Sequence, residues 1–186
     1  MANIDRPNGF KPVKTVSGAP LTSLIRSIGV ADGEDIFIGD IVNLESGLAD
    51  PGATNDAAFL GVAVGFGKVD ADGVALGPYN PTNLMTRFYD DSASTHTEWV
   101  VYYVPVEDVI FEAQTATALT LAIGDTCDLS DATGDSTSGI SRQEITTTSN
   151  ADFTVVGIPH YPDNDPTLVW GRYHVMVTRA EQAFHA

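Results

Sequence analysis

The sequence predicts a mainly β protein: an antiparallel β-sandwich or barrel, jelly-roll-like, with an extended N-terminal arm. Three observations predict it. Apolar residues fall in short runs or alternate with polar ones, and few windows show the 3.6-residue recurrence of an amphipathic helix. Turn-forming pairs such as Asp32-Gly33, Pro51-Gly52, Asp72-Gly73, Gly77-Pro78 and Gly134-Asp135 cut these runs at short intervals. The charge is also unevenly divided. Residues 1–26 hold Arg6, Lys11, Lys14 and Arg26 against Asp5 alone, net +3, whereas the other residues hold five bases against 24 acids, net −19.

Taken in chain order, residues 1–30 read as the arm and 31–186 as a single β-rich body. Within the arm, 21–28 has the pattern of a short helical turn. Strands are predicted over 36–44, 59–66, 84–89, 99–104, 109–111, 119–129, 153–158 and 168–178. The last alternates cleanly, with Val169, Gly171, Tyr173, Val175 and Val177 on one face and Trp170, Arg172, His174, Met176 and Thr178 on the other. A second helical turn is predicted over 180–184. The segments 79–84, 90–97 and 130–141 read as loops.

One echo runs through this pattern. Ile38-Gly39-Asp40-Ile41-Val42-Asn43-Leu44 returns as Ile123-Gly124-Asp125-Thr126-Cys127-Asp128-Leu129. Each copy is followed, after a turn-rich loop, by an apolar run, Phe59-Leu60-Gly61-Val62-Ala63-Val64 and Phe153-Thr154-Val155-Val156-Gly157-Ile158. Two explanations are open: chance recurrence of Ile-Gly-Asp at two strand starts, or two related β modules in one body.

The 186 residues are 43% hydrophobic and 18% charged, enough apolar material for a packed core in one domain. An acidic body does not suit nucleic acid, since phosphate contact needs a basic face. No apolar run approaches the length of a membrane span. The start lacks the apolar core of a secretory leader, which predicts synthesis in the cytoplasm. The single cysteine, Cys127, excludes an intrachain disulfide and reads as a small core residue.

Chemistry-bearing patterns are sparse, and the sequence predicts neither an enzyme nor a cofactor. His96, His160, His174 and His185 have no metal-ligand spacing. Asp70-Ala71-Asp72-Gly73 opens like a calcium loop, but its twelfth position is Pro81, where a bidentate Glu is needed. Asp128, Asp131 and Asp135 fit turn capping. Gly134-Asp135-Ser136 resembles a nucleophile turn, yet Thr137-Ser138-Gly139 departs from it and the stretch is polar and loop-like.

The arm carries the sharper signal. Arg6-Pro7-Asn8-Gly9-Phe10-Lys11-Pro12-Val13 combines cations, an aromatic and two prolines that hold their neighbours extended. It is predicted to lie across a partner, with Phe10 as anchor and Arg6, Lys11, Lys14 and Arg26 meeting acids, Pro7 and Pro12 setting the extended path. On this reading, removing residues 1–14 leaves the body folded and abolishes attachment.

Several stretches together resemble the cement, or head decoration, proteins of tailed bacteriophage capsids: the opening 1–10, Gly39-Asp40 and Gly124-Asp125, Phe59-Leu60-Gly61-Val62-Ala63, Val104-Pro105, Phe111-Glu112-Ala113-Gln114, and the closing run 170–177. The resemblance implies a β-rich structural virion protein with no active site. It would bind the outer capsid surface, bridge subunits of the major capsid protein and stabilise the shell against internal DNA pressure. It implies self-association, homotrimer favoured and homodimer open, and neither nucleic acid nor membrane as partner. The readings weighed beside it are a tail or head-fibre component and a carbohydrate- or calcium-binding β module, for which Trp99, Tyr102 and Tyr103 would be the exposed aromatics.

Overall fold

The computed structural model describes residues 3–6, 8–54, 56–69, 87–93, 95–147 and 150–184. Among them the chain is mainly β, with antiparallel sheets, as the sequence predicts. The strands are β1 (Lys11–Thr15), β2 (Arg26–Gly29), β3 (Ile36–Phe37), β4 (Ile41–Glu45), β5 (Leu48–Pro51), β6 (Phe59–Lys68), β7 (Phe88–Tyr89), β8 (Trp99–Pro105), β9 (Val109–Gln114), β10 (Thr126–Ser130), β11 (Glu144–Thr146), β12 (Phe153–Gly157) and β13 (Arg172–Val177). One sheet has the order β2-β8-β6-β4-β5, a second β1-β9-β13-β12-β10-β11, and β3 pairs with β7.

Both large sheets follow one plan. β2, β4, β5, β6 and β8 of the first correspond in turn to β9, β10, β11, β12 and β13 of the second, and both sets run first, fifth, fourth, second, third across the sheet. The match extends to single hydrogen bonds. The Gly39 N–H donates to Ala63 O (2.9 Å) and Ala63 N–H to Asp40 O (2.8 Å); Gly124 N–H donates to Val155 O and Val155 N–H to Asp125 O (both 2.8 Å). Each Asp carboxylate also accepts from the residue three back, Phe37 N–H at 2.7 Å and Ala122 N–H at 2.8 Å. Gly39 and Gly124 take φ of 95° and 97°, which a side chain would oppose. The fourth strand of each set carries a bulge at the same place, between Ala63 and Gly65 and between Val155 and Gly157. Each sheet then curls until its first strand meets its third through one parallel bridge, Val30 to Ala49 and Thr115 to Ile145, without a ladder that closes it. The Ile-Gly-Asp echo thus marks two modules of one topology.

The modules share a core. Ile41, Phe59, Val62 and Val104 of the first sheet pack with Phe111, Cys127, Phe153, Tyr173 and Val175 of the second. Val42, Leu60, Ala63, Val101 and Tyr103, alternating with these, face a smaller cluster with Val30, Ile36 and Tyr89. β6 is therefore buried on both faces, which explains its unbroken apolar run where a half-exposed strand would alternate. Gly61 sits where a Cβ would meet the Tyr103 ring and the Val104 carbonyl.

The predicted 36–44 strand breaks at the Gly39 turn into β3 and β4. The 119–129 strand begins only at Thr126 and the 168–178 strand only at Arg172, after Trp170 adopts φ of 62°. From Tyr173 the alternation holds: Tyr173, Val175 and Val177 are buried, and Arg172, His174 and Met176 half-buried. Residues 84–86 of the 84–89 strand, the calcium-like stretch 70–73 and Pro7 lie outside the described residues. The helical reading of 21–28 reduces to one 3-10 turn, Leu21–Ser23, followed by β2, and near the C-terminus Arg179–Glu181 forms a similar turn.

The N-terminal segment differs most from the sequence reading. Residues 1–30 do not form a separate arm. β1 is an edge strand of the second sheet, paired with β9 from Lys11 opposite Glu112 to Thr15 opposite Val109, and β2 belongs to the first sheet. Phe10 is a core residue, 1% exposed, so it cannot anchor a partner from this position. It stacks on Phe153 with ring centroids 4.8 Å apart, and Phe153 stacks in turn with Phe59 at 6.0 Å. The physical reason is that an aromatic of this size gains more by filling the joint between two modules than by waiting in water.

Candidate partner-binding site

The segment leading to β1 is fixed by its backbone and its small polar side chains. Asn3 is buried and bridges to the 165–169 loop: its amide donates to Asp165 O (2.8 Å) and Val169 O (3.0 Å), and its carbonyl accepts Asp165 N–H (2.7 Å). Arg6 N–H donates to Gln114 Oε1 (3.1 Å), and Phe10 N–H to Gly39 O (2.8 Å). Gly9, at φ of 60°, has no room for a Cβ, which would meet the Gly39 carbonyl and the Ser141 side chain. Proline at position 12 is tolerated because β1 is an edge strand, and the register slips between Pro12 and Lys14, leaving Val13 exposed.

The cationic side chains have a different environment. Arg6, Lys11, Lys14 and Arg26 are all exposed. None of them forms an ion pair among the described residues, where Lys68, Arg142 and Arg172 form the ion pairs and His96 and His174 stand within 4 Å of carboxylates. Three large apolar side chains are exposed in the same stretch: Val13 (37%), Val16 (60%) and Ile25 (41%).

Of the predicted site residues, the structure brings Arg6, Phe10, Lys11 and Pro12 together on one cleft of about 510 Å³. Its other walls are Gly39, Ala63 and Val64 of the first module and Glu112, Gln114 and Arg172 of the second. Lys14 lies further along β1, and Arg26 is on β2 in the other sheet, opposite Tyr103. The seven residues named from sequence therefore do not make one patch: Arg26 stands apart, Phe10 points into the core, and Pro7 is outside the described residues.

Sequence reading missed the second module's share of the cleft. Gln114, nearly buried, accepts from Arg6 N–H and donates to Asp5 Oδ1 (3.2 Å) and Glu144 Oε1 (2.9 Å). Burial raises the Glu144 carboxyl, against the pull of that Gln114 bond. Arg172 Nη2 pairs with Asp163 Oδ1 at 2.7 Å, and its guanidinium lies 4.6 Å from the Tyr161 ring centroid. This bond to Arg172 holds Asp163 below the usual carboxylate range. Tyr161 OH donates to Glu112 Oε2 (2.9 Å), which raises the phenol, and His174 Nε2 stands 3.8 Å from the same oxygen. Burial lowers His174, with Glu112 offsetting part of the effect, which favours a neutral ring. The alternation of β13 placed Arg172 and His174 on one face; nothing in the sequence put Glu112 or Tyr161 beside them.

The consequence is electrostatic. The carboxylate nearest Lys11 in register, Glu112, is already engaged by Tyr161, and Asp163 is engaged by Arg172. Arg6 and Lys11 stand without ion pairs over a partly apolar cleft on a strongly acidic molecule, although the Arg6 charge also helps to hold Asp163 low. Such a cleft suits a carboxylate-bearing partner.

The other sequence candidates are accounted for locally. Asp128 is buried and accepts from Asn150 and Ala151 N–H groups, Asp131 accepts from Thr54 N–H, and Asp135 from Thr137 N–H. Tyr102 and Tyr103 are buried, so they give no exposed aromatic platform for a sugar. No family model, no curated protein and no solved structure matches this chain.

Proposed function

We propose that this chain is a structural virion protein, a cement protein that binds the outer surface of a tailed-phage shell, bridges major capsid protein subunits and stabilises the shell. The observation that carries the reading is the set of four exposed cations without ion pairs, interleaved with exposed Val13, Val16 and Ile25, on a protein of net charge −16. Exposed cations without ion pairs, on a body with 24 acids outside residues 1–26, make sense where a partner supplies the carboxylates. The sequence resemblance to cement proteins agrees with this use.

The mechanism is linkage. A protein that binds only the assembled shell stabilises it by mass action. The N-terminal segment is already ordered by Asn3, Gln114 and Phe10, so little ordering entropy is lost on docking.

The experiment is co-sedimentation with shells of the phage that encodes this chain. Saturable binding is expected. Arg6→Glu with Lys11→Glu should weaken it several-fold, most at low ionic strength, because exposed charges are screened by salt. Absence of saturable binding by the parent protein would refute the proposal.

A further inference from the structure

The two Ile-Gly-Asp turns are alike inside their modules and unlike outside them. In the first, Gly39 O accepts Phe10 N–H (2.8 Å) and Ile38 O accepts Ser141 N–H (3.0 Å), so two extended segments of the chain lie against it. Ile38 also bridges Ile140 in parallel, and Asp40 is 3% exposed. The second turn has no such cover among the described residues. Ile123 is 68% exposed, more than any other large apolar side chain there, Gly124 and Asp125 are exposed, and neither Ile123 O nor Gly124 O accepts a backbone hydrogen bond. The stretch from Ala113 to Gly124 carries no charge, and Asp125 ends it.

The molecule itself shows what covers such a turn: extended segments of this same chain. The end of a repeated structure normally needs a polar outer face to stay soluble, and this end presents Ile123 to water. We infer that the 122–125 turn is an interface, and that it receives the exposed edge at residues 13–16 of a second copy of the chain. That edge offers Val13 and Val16 with Lys14 between them, the complement of Ile123 beside Asp125. The edge and the turn are different surfaces, so two copies either exchange the contact reciprocally about a two-fold axis or pass it head-to-tail into a ring. It leaves Arg6 and Lys11, which line the cleft, free for the shell. The inference deepens the cement reading: it assigns Val13, Lys14 and Val16 to a second copy and leaves Arg6, Lys11, Ile25 and Arg26 to the shell.

The test is sedimentation velocity over a range of concentrations, on the protein alone. The parent is expected to self-associate, and Ile123→Ser and Val16→Ser each to shift it to monomer, while Ile4→Ser, at another exposed isoleucine, leaves association unchanged. Lys14→Glu and Asp125→Lys should each weaken association at least several-fold, and the two together should restore it when half of the contact is carried by each copy. A parent that stays monomeric overturns the inference, as does association indifferent to Ile123 or a charge swap that fails to restore. These outcomes are independent of shell binding: a monomer that still binds shells saturably sinks this inference and leaves the cement reading standing, and an oligomer that ignores shells does the reverse.

Discussion

Replacing Phe10 by alanine tests whether the N-terminal segment is part of the body. Phe10 is 1% exposed and stacked at 4.8 Å on Phe153, which also carries Phe59 of the first module. Truncating a fully buried phenylalanine costs about 3–5 kcal/mol through lost transfer free energy and the cavity left behind. For a protein of this length each kcal/mol moves the midpoint by about 2–4 °C, so Tm should fall by about 6–20 °C. Urea titration followed by tryptophan fluorescence and by circular dichroism gives the same quantity from the shift in midpoint at constant slope. A variant within about 1 kcal/mol of the parent would refute the reasoning and restore a loose arm. The same geometry reverses the sequence-based expectation for removal of residues 1–14. That deletion takes away Phe10 and most of β1, so loss of attachment in it would report damage to the fold, and the charge reversals at Arg6 and Lys11 are the cleaner probe.

Two further outcomes follow from buried groups. Burial raises Asp40 to about 7 and, chiefly by burial again, Asp50 and Asp152 to about 6. The native state then holds protons that the unfolded chain has released, so stability should decline as pH rises from about 4 to about 7, at up to about 1.4 kcal/mol per pH unit for Asp40. Asp40→Asn should flatten that decline, and parallel stability-versus-pH curves for parent and variant would contradict it. Cys127 is fully buried and its thiol is pushed up to about 12, so a thiol reagent should leave it unmodified in the native protein and titrate one thiol in denaturant. Rapid native labelling would mean that the module opens locally.

Much of the fold was legible because its strongest signals are local. The alternation of β13, the apolar run of β6 and the glycine turns before β4 and β10 each follow from a few adjacent residues. The misreadings have a shared cause. β1 holds a proline and two lysines, which sequence logic assigns to a solvated arm, yet those are the residues that a protected edge strand carries. β5 and β11 are four and three residues long, too short for a period to show. The echo of the two modules was visible in Ile-Gly-Asp, but matching Phe59 with Phe153 placed the fourth strands two residues out of step. The pairing aligns Gly61 with Phe153, opposite Val42 and Cys127 respectively. A slip of two preserves the buried face, so hydrophobicity could not reveal it. The cleft was half legible: Arg6 and Lys11 lie close together in sequence, whereas Glu112, Gln114 and Arg172 reach it only through long-range pairing.

The pairing of β1 with β9 also sets an order of events during synthesis. Lys11 lies opposite Glu112, so β1 must wait for about a hundred further residues before its partner exists. At ribosomal rates of about 5–20 residues per second, that is on the order of 5–20 s with Phe10 exposed. The first module, whose strands lie within residues 26–105, can assemble in that interval with its neighbours already present. The N-terminal segment then closes over the joint only as the second module forms. Pro12 and the flanking lysines, which weaken β1 as a template for other chains, guard the nascent protein through that delay.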